Sequence, residues 1–291
     1  MSKPPRLDLP ARAHAHRLHT ARGVFAVHEA GTPAPGAPSA GTALLVPGFT
    51  GSKEDFVGLL EPLAQAGYRV VAVDGRGQYE SPGPRDEAAY TVEELALDLL
   101  AQASAVGGRG RVHLVGHSFG GLVARAAVLR DPAPFASLTL MSSGPAAIAP
   151  DQQARTKLLV TALEAMREDM PAVWAAMRAQ DPEDAAADSP ELAAFLCERW
   201  LATVPEQLIA TGRVLIAEPD RIEELKRADL PKMVLSGAVD YAWPVPLLDD
   251  MALRLGARRQ VIPGTAHSPN AEDPVATARA LTDFWGATAQ Q

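Results

Sequence analysis

Three residue types that together can turn a hydroxyl into a nucleophile occur in this 291-residue chain in a workable order: a serine, a carboxylate and a histidine. Ser118 lies in Gly116-His117-Ser118-Phe119-Gly120, between Arg111–Val115, a β-branched run that reads as a buried strand, and Gly121–Arg130, apolar at helical spacing. A G-x-S-x-G pentapeptide alone is a weak signal, because glycine and serine are common. At a strand-to-helix turn it carries a mechanism: the serine is forced into a tight bend, its hydroxyl projects past the strand end, and the next helix aims its positive end at it. Gly116 and Gly120 permit the bend because they bring no Cβ into it.

A serine hydroxyl needs a base to take its proton and a carboxylate to orient that base. Lys232–Gly237 reads as a strand and is followed by Asp240; Arg259–Pro263 reads as a shorter strand and is followed by His267. Both candidates fall in loops beyond strand ends, where open α/β sheets place their chemistry. Each has a plainer reading: Ser118 a surface serine in a turn, Asp240 a turn former before Trp243-Pro244, His267 a solvated loop residue. Competitors are poorly placed. His14, His16, His19 and His28 precede the core strands, His113 lies inside a strand, and the side chain of His117 is expected to point away from the site. Asp74 reads as a loop brace and Asp131 as the stop after a helix. The strand Ala136–Met141 runs into Ser142-Ser143-Gly144-Pro145, with no carboxylate before Asp151.

The elements that must position these residues alternate. Leu18–Glu29 reads as an opening strand pair, followed by a proline-stiffened exposed loop, Gly31–Pro38. Then come strand Thr42–Val46, helix Glu54–Ala66, strand Arg69–Val73 and helix Val92–Ala105, with Thr91 as N-cap. Strands joined by helices predict an α/β fold: a mainly parallel sheet of about eight strands, covered on both faces. The stretch 146–228 breaks the alternation with four or five helices and no strand. Its breaks are expected at Met170-Pro171, Asp188-Ser189-Pro190 and Val204-Pro205, and Ser189 followed by Pro190 is a good helix start.

These landmarks resemble the α/β-hydrolase superfamily over nearly the whole chain, and specifically its serine hydrolases with a helical cap. Leu44-Leu45-Val46-Pro47-Gly48-Phe49-Thr50-Gly51 is similar to the family's oxyanion turn, with Pro47 where many relatives carry histidine. The resemblance implies an oxyanion hole made by the backbone N–H groups of Phe49 and Phe119. Asp74-Gly75-Arg76-Gly77-Gln78-Tyr79-Glu80-Ser81 is close to the family's D-x-R-G-x-G-x-S loop but departs from it at Gln78-Tyr79-Glu80. The implied division is a core of residues 1–145 and 229–291 with a cap of residues 146–228. The cap would roof the site, with Trp174, Trp200, Phe195, Met166 and Met177, together with Trp243 of the core, as candidate substrate contacts, although apolar residues at helical spacing mostly hold helices together.

The implied activity is hydrolysis of a carboxylic ester through an acyl-enzyme on Ser118, with His267 as base and Asp240 orienting it. Serine rather than aspartate at the elbow argues against dehalogenase and epoxide hydrolase chemistry. Lactonase, thioesterase, amidase, carbon–carbon bond hydrolase and cofactor-free perhydrolase would use the same residues. A non-catalytic small-molecule receptor on this fold is the alternative from another class. Few aromatics and no placeable cationic clamp favour an uncharged, small to medium substrate.

Composition sets bounds. Lys and Arg number 27 against 35 Asp and Glu, a formal charge of −8, which disfavours nucleic acid or an anionic membrane as partner. No signal-peptide pattern opens the chain and no run approaches bilayer length. The single cysteine, Cys197, excludes an internal disulfide and is expected to be a buried, inert thiol; a cytoplasmic protein, monomer or homodimer, is expected. No metal-ligand or nucleotide motif occurs, so no cofactor and no metal are expected.

Overall fold

In the computed structural model, residues 2–31, 40–108, 110–180, 183 and 186–288 are described. The chain runs β1 (Ala13–Thr20), β2 (Gly23–Ala30), β3 (Gly41–Val46), α1 (Val57–Gln65), β4 (Tyr68–Val73), α2 (Val92–Gly107), β5 (Val112–His117), α3 (Phe119–Arg130) and β6 (Phe135–Met141). Helices α4 (Pro150–Met166), α5 (Met170–Ala179), α6 (Pro190–Ala202), α7 (Pro205–Ala217) and α8 (Ile222–Lys226) follow. The chain then returns through β7 (Lys232–Gly237), α9 (Val245–Leu255), β8 (Arg258–Ile262), α10 (Pro269–Glu272) and α11 (Pro274–Thr288). One eight-stranded sheet in the order β1-β2-β4-β3-β5-β6-β7-β8 results; β3 to β8 are parallel, while β2 pairs antiparallel with both β1 and β4. The expected eight-stranded α/β sheet is present.

Two-residue periodicity decides which helices cover which face. Leu44, Val46, Val71, Val73, Leu114, Leu138 and Val234 point to one side, where they pack with α2, α3 and α9. Their neighbours Ala43, Leu45, Val70, Ala72, Val115, Met233 and Leu235 point to the other side, against α1 and α11. Strands buried on both faces explain why these segments are almost continuously apolar. Because β4 and β5 flank β3 on opposite sides, a crevice opens at the carboxyl ends of β3 and β5, where successive connections diverge.

Boundaries differ modestly from the expectations. The opening strand pair begins at Ala13 rather than Leu18, because the alternating His14, His16 pattern pairs fully with β2. The predicted helix Glu54–Ala66 begins as a 3-10 turn over Lys53–Phe56 before α1. Thr91 and Ser189 cap their helices as expected, accepting from the N–H groups of Glu94 and Leu192. The loop expected over Gly31–Pro38 falls almost wholly outside the described residues. Cys197, expected to be buried, is half-buried on α6.

Between β6 and β7 the described residues form helices and no strand. Val160, Leu163, Met170, Val173, Trp200, Leu208 and Ile209 make a separate small core from α4 to α7. The last helix behaves differently: Ile222 and Leu225 of α8 pack into the sheet-side core. Arg199 joins α6 to the loop after β3, fully buried, with Nη1 2.8 Å from Asp55 Oδ1 and 3.2 Å from Ser52 Oγ.

The loop after β4 is held by a buried cation. Lys53 Nζ lies 3.0 Å from Asp74, 2.8 Å from Glu54 and 2.9 Å from Glu80. Burial opposes the charge on Lys53, but Asp74 and Glu54 outweigh it and hold its pKa above the ordinary lysine value. Asp74 also accepts from the backbone N–H groups of Lys53 and Glu80, as a loop brace should. Tyr79 occupies the place of the second glycine in the family pattern and takes the left-handed backbone that glycine would favour, at φ +40°. Its ring faces Phe195 of α6 at 5.8 Å and its hydroxyl donates to Glu198 at 3.0 Å, contacts a glycine could not make.

Candidate active site

Five loops converge at the carboxyl edge of the sheet, following β3, β4, β5, β7 and β8. Ser118 follows β5 directly at φ +53°, the strained conformation expected of an elbow. Glycine is required on both sides for steric reasons. A Cβ on Gly116 would come within 2.4 Å of the Gly120 carbonyl oxygen, and one on Gly120 within 2.5 Å of those of Val46 and Pro47. Ser118 N–H donates to Met141 O at 2.9 Å, and Gly121 N–H donates to Ser118 O at 2.9 Å, fixing the bend from both ends.

The structure brings the three expected side chains together. His267 Nε2 is 3.0 Å from Ser118 Oγ, and His267 Nδ1 is 2.9 Å from Asp240 Oδ1. A carboxylate can only accept, so Nδ1 carries the proton and Nε2 presents a lone pair to the hydroxyl. Asp240 Oδ1 also accepts from the N–H groups of Ala242 at 2.8 Å and Trp243 at 3.0 Å, so the carboxylate is aimed by its own loop. All three residues are buried. The β7 and β8 loops are tied by Ala238 N–H donating to Thr265 O at 2.8 Å.

Several supporting residues escaped the sequence reading. Glu272 accepts from the N–H groups of Ala266 and Ser268 on either side of His267, at 2.5 and 2.9 Å. Asn270 reaches back to donate to Asp55 O at 2.8 Å. His117, expected to point away, lines the same cavity as Ser118, and its Nε2 donates to the His267 carbonyl at 2.9 Å. Burial and the neighbouring His267 push the His117 pKa down to about 3, so its ring is neutral. The only sequence signal for Glu272 was a carboxylate shortly after the histidine, inside a turn; nothing in the sequence singled out the orientation of His117.

The turn Gly48-Phe49-Thr50-Gly51 lies against the serine. A Cβ on Gly48 would sit 3.2 Å from Ser118 Cβ and 3.6 Å from its Oγ. Phe119 opens α3, and amides in a helix's first turn have no intrahelical acceptor, so they are free to face a ligand. These are the two turns expected to supply an oxyanion hole.

A cavity of about 140 Å³ opens above Ser118 and His267, walled by Phe49, Ile148, Gln152, Thr156, Leu215 and Tyr241 among others. Gln152 and Thr156 belong to α4 and Leu215 to α7. Phe49, Thr50, Gln152, Thr156 and Tyr241 also border a wider outer groove that carries Arg155, Met177 and Arg178. The sequence offered no way to place those two cations on this groove.

The three tryptophans expected to touch substrate are not among the residues lining the Ser118 cavity or the outer groove. Trp243 is fully buried, its indole N–H donating to Ala146 O at 2.8 Å and its ring 6.3 Å from that of His267. Trp200 is buried and donates to Met170 O at 3.1 Å. Trp174 packs on Trp200 with centroids 6.0 Å apart, under Arg178. None borders the Ser118 cavity, because all three are spent on helix and loop packing. Phe195 faces Tyr79, and Met166 is 40% exposed; Met177 alone of the cap candidates reaches the outer groove.

Among the described residues one group has metal-ligand chemistry, His14, His16 and Glu29 on the outer strand pair. Arg69 already spans the Glu29 carboxylate, at 2.7 and 2.9 Å, which weakens it as a cation ligand. No helix of the described residues is long and apolar enough to cross a membrane.

A family profile described as alpha/beta hydrolase fold matches residues 44–208, more than half of the chain. The chain is 28% identical over 233 residues to the pimeloyl-[acyl-carrier protein] methyl ester esterase of Edwardsiella ictaluri, covering 77% of this chain and 85% of that protein. It is 39% identical over 107 residues to a candidate carbamate hydrolase, RutD, of Variovorax paradoxus, covering 36% of this chain and only 40% of that protein. Among solved structures, a thermophilic esterase from Thermogutta terrifontis superposes with a TM-score of 0.74 at 24% identity, covering 94% of this chain and 99% of that one.

Proposed function

The chain belongs to the alpha/beta hydrolase fold family and is an esterase-like hydrolase, and from that premise we propose that it cleaves a small to medium carboxylic ester through an acyl-enzyme on Ser118. The observation that carries this reading is the unbroken relay from Ser118 Oγ through His267 to Asp240, at 3.0 and 2.9 Å.

Ser118 attacks the ester carbonyl as its proton passes to His267 Nε2, while Asp240 holds the Nδ1 proton in place. The oxygen of the tetrahedral intermediate takes its negative charge towards the N–H groups of Phe49 and Phe119, each donor worth about 3 kcal/mol in such sites. His267 then protonates the departing alkoxide. A water, deprotonated by the same ring, attacks the acyl-enzyme, and collapse returns the proton to Ser118 and releases the acid.

The cavity of about 140 Å³ beside Ser118 supports a compact group there, well below the roughly 300 Å³ at which drug-sized pockets begin. A methoxy leaving group, as in the esterase relative's substrate, would fit. Helices α4 to α7 act as the cap, since Gln152, Thr156 and Leu215 wall this cavity. A cytoplasmic site of action accords with the single cysteine.

The test is hydrolysis of p-nitrophenyl acetate and butyrate by the wild type beside Ser118→Ala, with fluorophosphonate labelling in parallel. Turnover and labelling that both vanish in the variant are expected. A wild type that labels without turnover points to a lactone, thioester or carbon–carbon substrate of the same triad. Neither turnover nor labelling would move the protein to the receptor class.

A further inference from the structure

The loop after β4 meets the turn after β3 through the side chain of Gln78, next to the departing Tyr79. Gln78 is buried, and its amide is oriented without ambiguity. Oε1 accepts from Gly75 N–H at 2.9 Å, so Nε2 must face the opposite partner, the Gly48 carbonyl, to which it donates at 2.9 Å. The backbone of Gln78 is itself fixed: its N–H donates to Gly75 O at 3.0 Å, and its carbonyl accepts from Ser81 N–H at 2.8 Å.

Gly48 O receives a second donor, the N–H of Gly51, at 3.2 Å. A carbonyl pinned by two donors fixes the plane of the Gly48–Phe49 peptide. In a planar trans peptide the following N–H points opposite to that carbonyl. With the carbonyl drawn towards Gln78 and Gly51, the Phe49 N–H is turned away from them, in a turn whose Gly48 abuts Ser118. A rotation of this one peptide would present a carbonyl oxygen in place of a donor and reverse the sign of the interaction with an oxyanion.

We infer that Gln78 is a positioning residue that sets the direction of the Phe49 oxyanion donor through the Gly48 carbonyl. This rests on the serine-hydrolase reading. Gln78 touches neither Ser118 nor His267 in hydrogen-bonding terms, so its influence passes through the peptide. An oxyanion donor acts only once charge has developed on the substrate oxygen; hence disorienting it lowers kcat and leaves substrate binding intact.

Two substitutions test this. Gln78→Met removes the donor without adding charge; Gln78→Glu keeps an acceptor for Gly75 N–H and removes the amino group. With p-nitrophenyl acetate, each is expected to lose about 10-fold or more in kcat/KM, with KM within about 2-fold of wild type. Affinity for a trifluoromethyl ketone, which forms a tetrahedral oxyanion on serine, should fall in parallel, while affinity for the matching methyl ketone stays put. Thermal midpoints identify any variant that fails to fold, and the other then carries the comparison. Unchanged kcat/KM, or a loss of kcat/KM with unaltered trifluoromethyl ketone affinity, overturns the inference and leaves the serine-hydrolase reading standing. Unfolding of both variants would make Gln78 a scaffold residue and overturn it equally. A wild type without turnover or fluorophosphonate labelling removes the underlying reading, and the inference with it.

Discussion

Nε2 of His117 donates to the backbone carbonyl of His267 at 2.9 Å, so the residue preceding the elbow serine holds the loop whose imidazole faces that serine. Ser118 and His267 are thereby spaced by a contact between neighbours in space that lie 150 residues apart in sequence. His117→Phe keeps an aromatic ring but leaves the His267 carbonyl without this donor. The expected outcome is a loss of about 1–3 kcal/mol in urea unfolding, the usual penalty for an orphaned buried polar group, with a fall in kcat. Stability and kcat both equal to wild type would show the bond to be dispensable.

Ser118→Ala and His267→Ala should each reduce kcat by about 10⁴-fold or more, because the triad acts as a unit. Asp240→Asn is expected to approach the same loss: an amide oxygen held by the Ala242 and Trp243 N–H groups carries no negative charge to stabilise the imidazolium, and an amide NH2 turned into that position would meet those donors and force the wrong His267 tautomer. Steady-state kinetics on one chromogenic ester compares all three. A loss of less than 10-fold in Asp240→Asn would assign the orienting role to another carboxylate.

Acid should destabilise the fold in a defined window. Burial pushes the pKa of His28 and His113 down to about 4 and that of His117 to about 3, against about 6.5 in an unfolded chain. Between those values the unfolded state binds the extra protons. Stability contributed by these rings is therefore full above about pH 6.5 and is lost as pH falls towards 4, by up to about 1.4 kcal/mol per pH unit for each ring. Chemical denaturation between pH 7 and 5 checks the slope, and His113→Gln should flatten it.

The ion pair between Arg199 and Asp55 spans α6 and the loop behind the oxyanion turn, with both side chains almost wholly buried. Arg199→Met leaves the Asp55 carboxylate uncompensated and is expected to cost about 3–5 kcal/mol. Adding Asp55→Asn should recover part of that loss, because the remaining buried charge is removed. Thermal and urea unfolding of the single and double variants measures the coupling. Additive losses would show that the pair does not act as one.

The local grammar of the chain was legible before folding. Glycines at 116 and 120, the apolar runs on either side of Ser118, and the positions of Asp240 and His267 after strands are short-range features, and short-range sterics decide them. Even the departure at Tyr79 was visible as a mismatch. That it adopts a left-handed backbone and makes contact with α6 was not, because the compensating partners lie more than 100 residues away. The surroundings of the tryptophans were illegible for a related reason: an apolar ring fits a core as well as a pocket, and sequence spacing cannot tell which neighbour it meets. Trp243 proved to be fully buried, its ring stacked 6.3 Å from that of His267.

What the sequence by itself determined is therefore the set of elements and the identity of the relay, since periodicity and turn chemistry act over a few residues. Only the tertiary structure decided the roles of Gln78, His117, Glu272 and the Arg199–Asp55 pair. Gln78, His117 and the Arg199–Asp55 pair each act on a group supplied by a different loop, whereas Glu272 holds the backbone of its own, at Ala266 and Ser268. Such directions arise when five loops meet at one sheet edge, a long-range packing outcome that local spacing does not encode.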